Sequence, residues 1–391
     1  MRIRIITAVA ALACHFFAIG SEIDRTVAAI VERNPALAAG RARLEAEMAA
    51  ARADNVLPGL EVDFDYKFGS HENKWGAGVS QSFDWPGVYS ARRKANSARA
   101  SAFTQLYRAD YLERALEAKQ LLLNLARARM TLDVVAEAQA NVARLQDLYN
   151  FAFERGETTV LEVRKLRLQA FELACRRAEA EADLESIAAS LAAINGGEAI
   201  NVDFGGVIPS DALGSEAGYL EQLKANDPAV AAQLSLGEVA QREVAVARRS
   251  ALPSFSLGYV YENEGGDSFH GFSVGIGLPT WSNSARVASV RAQKLAADSD
   301  ALDYTLRMRA TISADYAAAV RLGARLEAAR ADFENDSYPR LLEKALDGGR
   351  INLLEYLREY NDYLDAKSAY IDIQYRYSSL VAGLNRYNLL P

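Results

Sequence analysis

The 391 residues include only two cysteines, three histidines, four methionines and nine prolines, and each scarcity excludes something. Cys14 lies in an apolar N-terminal stretch. Without that stretch Cys175 stands alone and no intrachain disulfide forms. One thiol on a helix reads as a small apolar residue. So little His, Cys and Met leaves no metal-binding stripe and no Cys/His ligand spacing. No Gly-rich phosphate loop and no Ser/His/Asp set appears, so the chain does not read as an enzyme and no cofactor is expected. Lys plus Arg, 44, fall short of Asp plus Glu, 51. A net charge of −7 with no dominant basic patch argues against a nucleic-acid partner. After residue 20 no run has the length and apolarity of a transmembrane helix.

The chain begins with a targeting segment. "MRIR" is a positive n-region, "IITAVAALACHFFAI" is an apolar stretch too short to span a bilayer comfortably, and "AIG" puts small residues before Ser21. Residues 1–20 are expected to be a cleaved secretory signal. Cleavage removes Arg2 and Arg4, taking the charge from −7 to −9. The rival is lipid attachment at Cys14. "ALAC" matches it poorly, with Ala11 where leucine is usual, and the apolar run continues through Phe16 and Phe17. An exported chain with no spanning helix is free in the periplasm, secreted, or in the outer membrane as a barrel.

The remainder is a repeat. "NPALAA" from Asn34 returns as "NDPAVAA" from Asn226, and "LPGLEVDFDYKFG" from Leu57 as "LPSFSLGYVYENE" from Leu252. "VSQSFDWPGVYSAR" from Val79 pairs with "FSVGIGLPTWSNSAR" from Phe272. "FERGETTVLEV" from Phe153 and "LDGGRINLLEY" from Leu346 both interrupt helical sequence with a glycine and end on Leu-Glu. Landmarks matched across both halves mean an internal duplication of whole subdomains. Residues 21–195 form the first repeat, 196–220 a Gly/Pro-rich linker, and 221–391 the second.

Each half reads as helix, two strands, long helix, break, helix. Strands are expected at about 60–69, 75–84, 254–262 and 270–278. Leu60, Val62, Phe64, Tyr66 and Phe68 alternate with Glu61, Asp63, Asp65 and Lys67, which is period two with one apolar and one polar face. Phe272, Val274, Ile276 and Leu278 alternate with Gly271, Ser273, Gly275 and Gly277. "SHENK" and "ENEGGDSFH" read as turns, placing His71 and His270 in corresponding loops; a metal pair there is the weakest reading. Strands of about ten residues cross a bilayer when tilted. Four strands do not close a barrel, and lipid forbids an open sheet edge, so spanning strands require several chains to share one barrel. Trp75, Trp85 and Trp281 sit at strand ends, where an interfacial aromatic belt would lie. A small soluble sheet with one face on a core is the bland alternative.

The proline-free run from Gly87 to about Asn150, if one helix, is roughly 95 Å long. Val135, Ala138, Val142, Leu145, Tyr149 and Ala152 step 3,4,3,4,3, a coiled-coil seam that Val163, Leu166, Ala170 and Leu173 continue past the break. The break is therefore expected to reverse the chain into an antiparallel hairpin, turning near 156 and, in the second repeat, near 349.

Taken together, "ERNPALAA", "LPGLEVDF", "SQSFDWPGVYSARRKA" and the twice-used G-x-x-x-x-L-E break resemble the TolC-type outer-membrane efflux factors, specifically those accompanying resistance-nodulation-division pumps. The resemblance covers nearly all of the chain after the signal. It implies a mainly α protein with a small β part, three copies forming a 12-stranded outer-membrane barrel continued by a periplasmic α-helical barrel. It implies a passive exit duct, a periplasmic adaptor, an inner-membrane pump and outer-membrane lipid as partners. Arg155, Gly156, Thr158, Leu161, Gly348, Gly349 and Leu354 would form the periplasmic tip turns that meet the adaptor. Glu162 and Glu355 would supply an acidic gate ring. Arg358, where some relatives carry a second acidic residue, and Glu359 would offer an Arg–Glu pair instead. Glu61, Asp63 and Asp65 would line the barrel lumen. Read from spacing alone, Glu162, Glu355 and Arg358 are ordinary solvated helix charges. The cargo, metal cations or drugs, rests on analogy with the family. The competing function is a periplasmic coiled-coil scaffold with no channel.

Overall fold

A computed structural model describes residues 22–69, 73–278, 283–333 and 337–391. The expected signal segment, His71 and Trp281 lie outside these residues. The chain is mainly α with one small antiparallel sheet. Residues 22–33 form α1, followed by α2 (Pro35–Ala53), β1 (Glu61–Lys67), β2 (Lys74–Phe83), α3 (Pro86–Glu154) and α4 (Val160–Ile194). The second half runs α5 (Glu216–Asn226), α6 (Pro228–Arg249), β3 (Ser254–Glu264), β4 (Asp267–Gly277), α7 (Asn283–Phe333), α8 (Ser337–Asp347) and α9 (Leu353–Leu384), with a closing 3-10 turn. The order repeats, with the second long helical stretch described as α7 and α8 on either side of residues 334–336, which lie outside the described residues.

Local chemistry starts the helices. Asn34 Oδ1 accepts from the amides of Ala36 (2.9 Å) and Leu37 (3.2 Å), with Pro35 as the first helical residue of α2. Asp227 Oδ1 does the same for Ala229 (2.8 Å) and Val230 (3.0 Å), with Pro228 opening α6. The repeated Asx-Pro-Ala is thus an N-cap followed by the one residue whose missing N–H costs nothing there.

Residues 39–110 and 223–308 make one compact unit, which holds the sheet. Strand order is β1-β2-β3-β4, every pair antiparallel, so β1 and β4 are edges. The two hairpins pair through β2 and β3, with Val79 opposite Tyr259 and Phe83 opposite Phe255. Beneath the sheet Ala91 and Ala95 of α3 pack on Val246 of α6. The second turn is tighter than its sequence suggests. β3 and β4 are joined only by Gly265 (φ 58°) and Gly266 (φ 98°). Two consecutive positive φ values are what a two-residue hairpin loop needs, and Gly-Gly meets that without strain. As a consequence β4 begins at Asp267, and His270, expected in a loop, is a strand residue opposite Tyr261.

The other unit comprises, among the described residues, 22–38, 111–222 and 309–391. Its core joins Ala138, Val142 and Leu145 of α3, Leu166 and Leu173 of α4, Leu342 of α8, and Leu353, Tyr356, Leu357, Tyr360 and Leu364 of α9. The heptad seam is thus buried, against the second hairpin as well as its own. Polar staples cross the same contact. Gln169 and Asn361 exchange amide hydrogen bonds of 2.8 and 2.9 Å, and Asn141 Nδ2 donates to Tyr356 Oη at 2.8 Å. Residues 216–220, expected to belong to the linker, open α5 instead. Ser215 Oγ accepts from the Gly218 amide (3.2 Å), an N-cap that the Gly/Pro content of the segment hides. The remaining coil is packed, with Val202, Phe204 and Ile208 buried. Lys119 Nζ of α3 binds Asp211 of the coil (2.8 Å) and Asp24 of α1 (2.9 Å).

Candidate functional site

The two interruptions have one architecture. α3 ends in a Schellman cap. The Glu157 amide donates to Ala152 O (2.9 Å), the Gly156 amide to Phe153 O (2.9 Å), and Gly156 takes φ 75°. α8 ends the same way. Arg350 donates to Ala345 O (2.9 Å), Gly349 to Leu346 O (3.0 Å), and Gly349 has φ 62°. A Cβ at either glycine would meet nothing within 4 Å, so the left-handed backbone, and not crowding, selects glycine. Gly348 precedes it with its amide on Lys344 O (3.1 Å).

Three residues after each glycine comes an N-cap, and three residues later a capping-box glutamate. Thr159 Oγ1 accepts from the Glu162 amide (3.3 Å), while Glu162 Oε2 accepts from the Thr159 amide (2.9 Å), Thr159 Oγ1 (2.8 Å) and Thr158 Oγ1 (2.6 Å). These donors, the Thr158 hydroxyl first, hold the Glu162 carboxyl below the usual range. In the second turn Asn352 Oδ1 accepts from the Glu355 amide (2.9 Å) and Glu355 Oε2 from the Asn352 amide (3.0 Å). Glu162 and Glu355, expected as gate charges, are therefore engaged first as helix caps. The signal was readable. Thr-x-x-Glu and Asn-x-x-Glu before an apolar run are the capping-box pattern.

The remaining tip residues divide by exposure. Leu161 is 64% exposed and Leu354 44%. Arg155 lies over the Phe151 ring (5.4 Å) and pairs with Glu157 (2.8 Å). Arg358 pairs with its neighbour Glu359 (2.7 Å), which also accepts from Tyr338 Oη (3.1 Å). Arg358 first, then Tyr338, lowers the Glu359 carboxyl from its ordinary range.

The sheet carries the other candidates. Paired residues share a face, so Glu61, Asp63 and Asp65 lie with Gly76, Gly78 and Ser80 of β2. The same face continues through Glu262, Val260, Gly258 and Ser256 to Phe269, Gly271, Ser273, Gly275 and Gly277. Space is short there. A Cβ on Gly258 would stand 3.0 Å from Ser80 Cβ, and one on Gly275 or Gly277 would collide with Ser256 or Ser254. Lys74 lies between Glu262 (2.8 Å) and Glu264 (3.5 Å), residues not singled out from the sequence. The opposite face is large and apolar, with Phe64 70%, Phe272 83% and Val274 75% exposed. Trp75 packs on Tyr261 (5.2 Å) near one end of β2, and Trp85 on Phe255 (5.9 Å) just past the other. Among the described residues no group of three or more His, Cys, Asp or Glu is placed to hold a metal ion, and no helix is long and apolar enough to cross a membrane.

No protein-family model matches the chain, and no curated protein matches it by sequence. Solved structures do match. The chain is similar to the CmeC outer membrane channel of Campylobacter jejuni, at 18% identity and TM-score 0.76 over 94% of this chain and 85% of that one. It is similar to the open state of the MtrE outer membrane channel of Neisseria gonorrhoeae, at 16% identity and TM-score 0.75 over 93% and 88%. It is similar to the outer membrane protein VceC of Vibrio cholerae, at 16% identity and TM-score 0.72 over 95% and 96%. The fold is therefore that of these outer membrane channels, which bears out at the level of fold the resemblance to TolC-type factors.

Proposed function

We propose that the chain is the outer-membrane exit duct of a tripartite export system. The observation that carries this is the two-faced sheet: four strands with one face large, apolar and exposed, the other mainly Gly, Ser and charged residues, with Val260 and Phe269 as its two large apolar exceptions, and both edges unpaired. In water the apolar face would be an aggregation surface. In lipid it is the correct outer face, but the edges then need partners. Further copies of the chain supply them. Three copies give twelve strands, with small residues inward, where closure crowds the side chains, and large ones outward.

In this reading the tip turns meet a periplasmic adaptor, and an inner-membrane pump of the resistance-nodulation-division type supplies the energy. The cargo reading, metal cations or drugs, rests on the carboxylates of the inner face, where Glu61, Asp63 and Asp65 favour cations, and on family analogy. Three copies of Glu355 ring the tip, with Arg358–Glu359 and Tyr338 bracing the helix behind it. Glu162, its carboxylate turned back on Thr158 and Thr159, shapes the first turn. The competing reading, a soluble periplasmic scaffold, leaves the apolar sheet face without a partner. The deciding measurement is the mass and shape of the mature protein extracted from outer membranes in mild detergent. A hollow trimeric tube is expected; a compact or monomeric particle that needs no detergent would overturn the duct and favour the scaffold.

A further inference from the structure

Just below the sheet, the last turns of α2 and the first turns of α3 line an open groove of about 480 Å³. Arg52, Asn55, Arg93, Asn96 and Ser97 give it polar walls, and Met48 is part of an apolar floor. The walls of the groove are fixed to one another. Asn96 Nδ2 donates to Ala51 O, and Arg99 pairs with Asp54 (3.2 Å) and Glu243 (2.7 Å), fastening α3 to both neighbours. Its own cations are not used this way. Arg52 and Arg93 are exposed and form no ion pair among the described residues, and the same holds for Lys94 and Arg248 nearby in sequence to the strands. Asn55 Oδ1 is shielded from solvent and has no hydrogen-bond partner. Two free guanidiniums beside an unfilled acceptor make a site for a group that pairs an anion with a donor.

The position says which group. Trp85 sits on the apolar, outward side of the sheet beside Phe255. A Cβ on Gly87 would lie 3.4 Å from the Trp85 ring, so α3 starts directly under that side. Gly87, Ser90, Lys94 and Ser97 then follow at helical 3-4-3 spacing, which keeps Lys94 and Ser97 on the side that begins under Trp85. Arg93 is eight residues past Trp85, roughly 12 Å of helix. Headgroups extend some 5–7 Å beyond the hydrocarbon on each side, and arginine and lysine reach back toward them along flexible stems. The upper edge of the groove, through the Arg93 side chain, thus reaches the level of the leaflet that the strands enter from the helical side, and the rest of the groove runs on beneath it.

We infer that this groove binds the headgroup of a glycerophospholipid of that leaflet, Arg52 and Arg93 taking the phosphate and Asn55 Oδ1 accepting from the headgroup ammonium or hydroxyl. Arginine's planar fork suits phosphate, and no bond is made or broken. The inference rests on the outer-membrane reading above.

The test uses the full mature chain, purified in mild detergent and stripped of lipid. Phosphatidylethanolamine, phosphatidylglycerol or inorganic phosphate is added, and bound lipid is counted by native mass spectrometry. The wild-type chain is expected to retain phospholipid. The Arg52→Ala/Arg93→Ala variant should retain about tenfold less, as the loss of two solvent-exposed charge contacts implies. Arg43→Ala, an exposed arginine outside the groove, should match wild type. Both arginines of the double variant are exposed, and an unchanged trimer mass will show that it folds. Equal retention by the double variant overturns the inference. So does displacement of lipid by an equal concentration of inorganic phosphate, which would make the groove a free-anion site. A chain that never enters the outer membrane defeats the duct reading instead, and is seen at extraction, before any lipid is counted.

Discussion

The two tip turns share a backbone, yet they are secured differently. In the second, α9 sends Leu353, Tyr356, Leu357 and Tyr360 into the core shared by both hairpins, and Leu353 is only 1% exposed. Its cap is minimal, one amide in each direction between Asn352 and Glu355. In the first, the matching residue Val160 is 54% exposed, and α4 reaches the core later, through Leu166 and Leu173. The first turn makes up the difference with side-chain hydrogen bonds, three donors on Glu162 Oε2. One turn is anchored by packing, the other by capping. A duplicated sequence can keep a backbone while moving its stabilisation from one kind of interaction to the other.

The strongest test of that contrast compares Leu353→Ala with Val160→Ala. Removing a fully buried leucine costs about 2–5 kcal/mol, while truncating a half-exposed valine costs little. The first variant should lower the thermal unfolding midpoint of the purified protein clearly, and the second should hardly move it. Equal shifts would erase the distinction between the two turns.

A smaller effect is expected at the glycines, and there the turns should behave alike. Gly156→Val and Gly349→Val each force a β-branched residue into left-handed backbone, at about 1–2 kcal/mol, with Asn milder. Export should fall while the amount of folded trimer holds. Loss of the trimer would mean that the glycines serve assembly, not docking.

The capping contrast predicts asymmetry again. Glu162→Ala should cost about 0.5–2 kcal/mol locally, more than Glu355→Ala, read as faster amide hydrogen exchange over 160–163. The Glu162 pKa is depressed in the fold, so its contribution is complete above the ordinary glutamate range and disappears as pH falls through the lowered value. Protease sensitivity of the first turn should therefore rise only in acid below that range, and Glu162→Gln should remove the dependence. A transition near neutral pH would contradict the geometry. The smallest expected effect is a reduced cation preference of single-channel current in Glu355→Ala. Unchanged selectivity would return Glu355 to the role of a cap alone.

Much of this was legible in the residues. The alternation in β1 and β2 announces a two-faced sheet because side chains on a strand have period two. The seam from Val135 to Ala152 announces a buried stripe because helical neighbours recur every three or four residues. Other features are present in the residues but carry a weaker signal. "ENEGGDSFH" reads as a long turn, although Gly-Gly alone closes a two-residue loop, and Thr159 and Asn352 are cap residues. The exchange of hydrogen bonds between Gln169 and Asn361, 192 residues apart, was not legible, and neither was the pocket made by Arg52 and Arg93. Nothing local relates such residues until the hairpins pack.

By itself, then, the sequence determined the repeat, the helix and strand periods, the positions where the chain must turn, and the chemistry of each cap. These depend on residues within a few positions of one another, where propensity and hydrogen-bonding geometry act directly. Tertiary structure alone decided that β2 pairs with β3 across the two halves, that Leu353 is buried while Val160 is exposed, and that free arginines line one groove. Those outcomes depend on which surfaces meet, and burial and pairing energies belong to the contact, not to either partner.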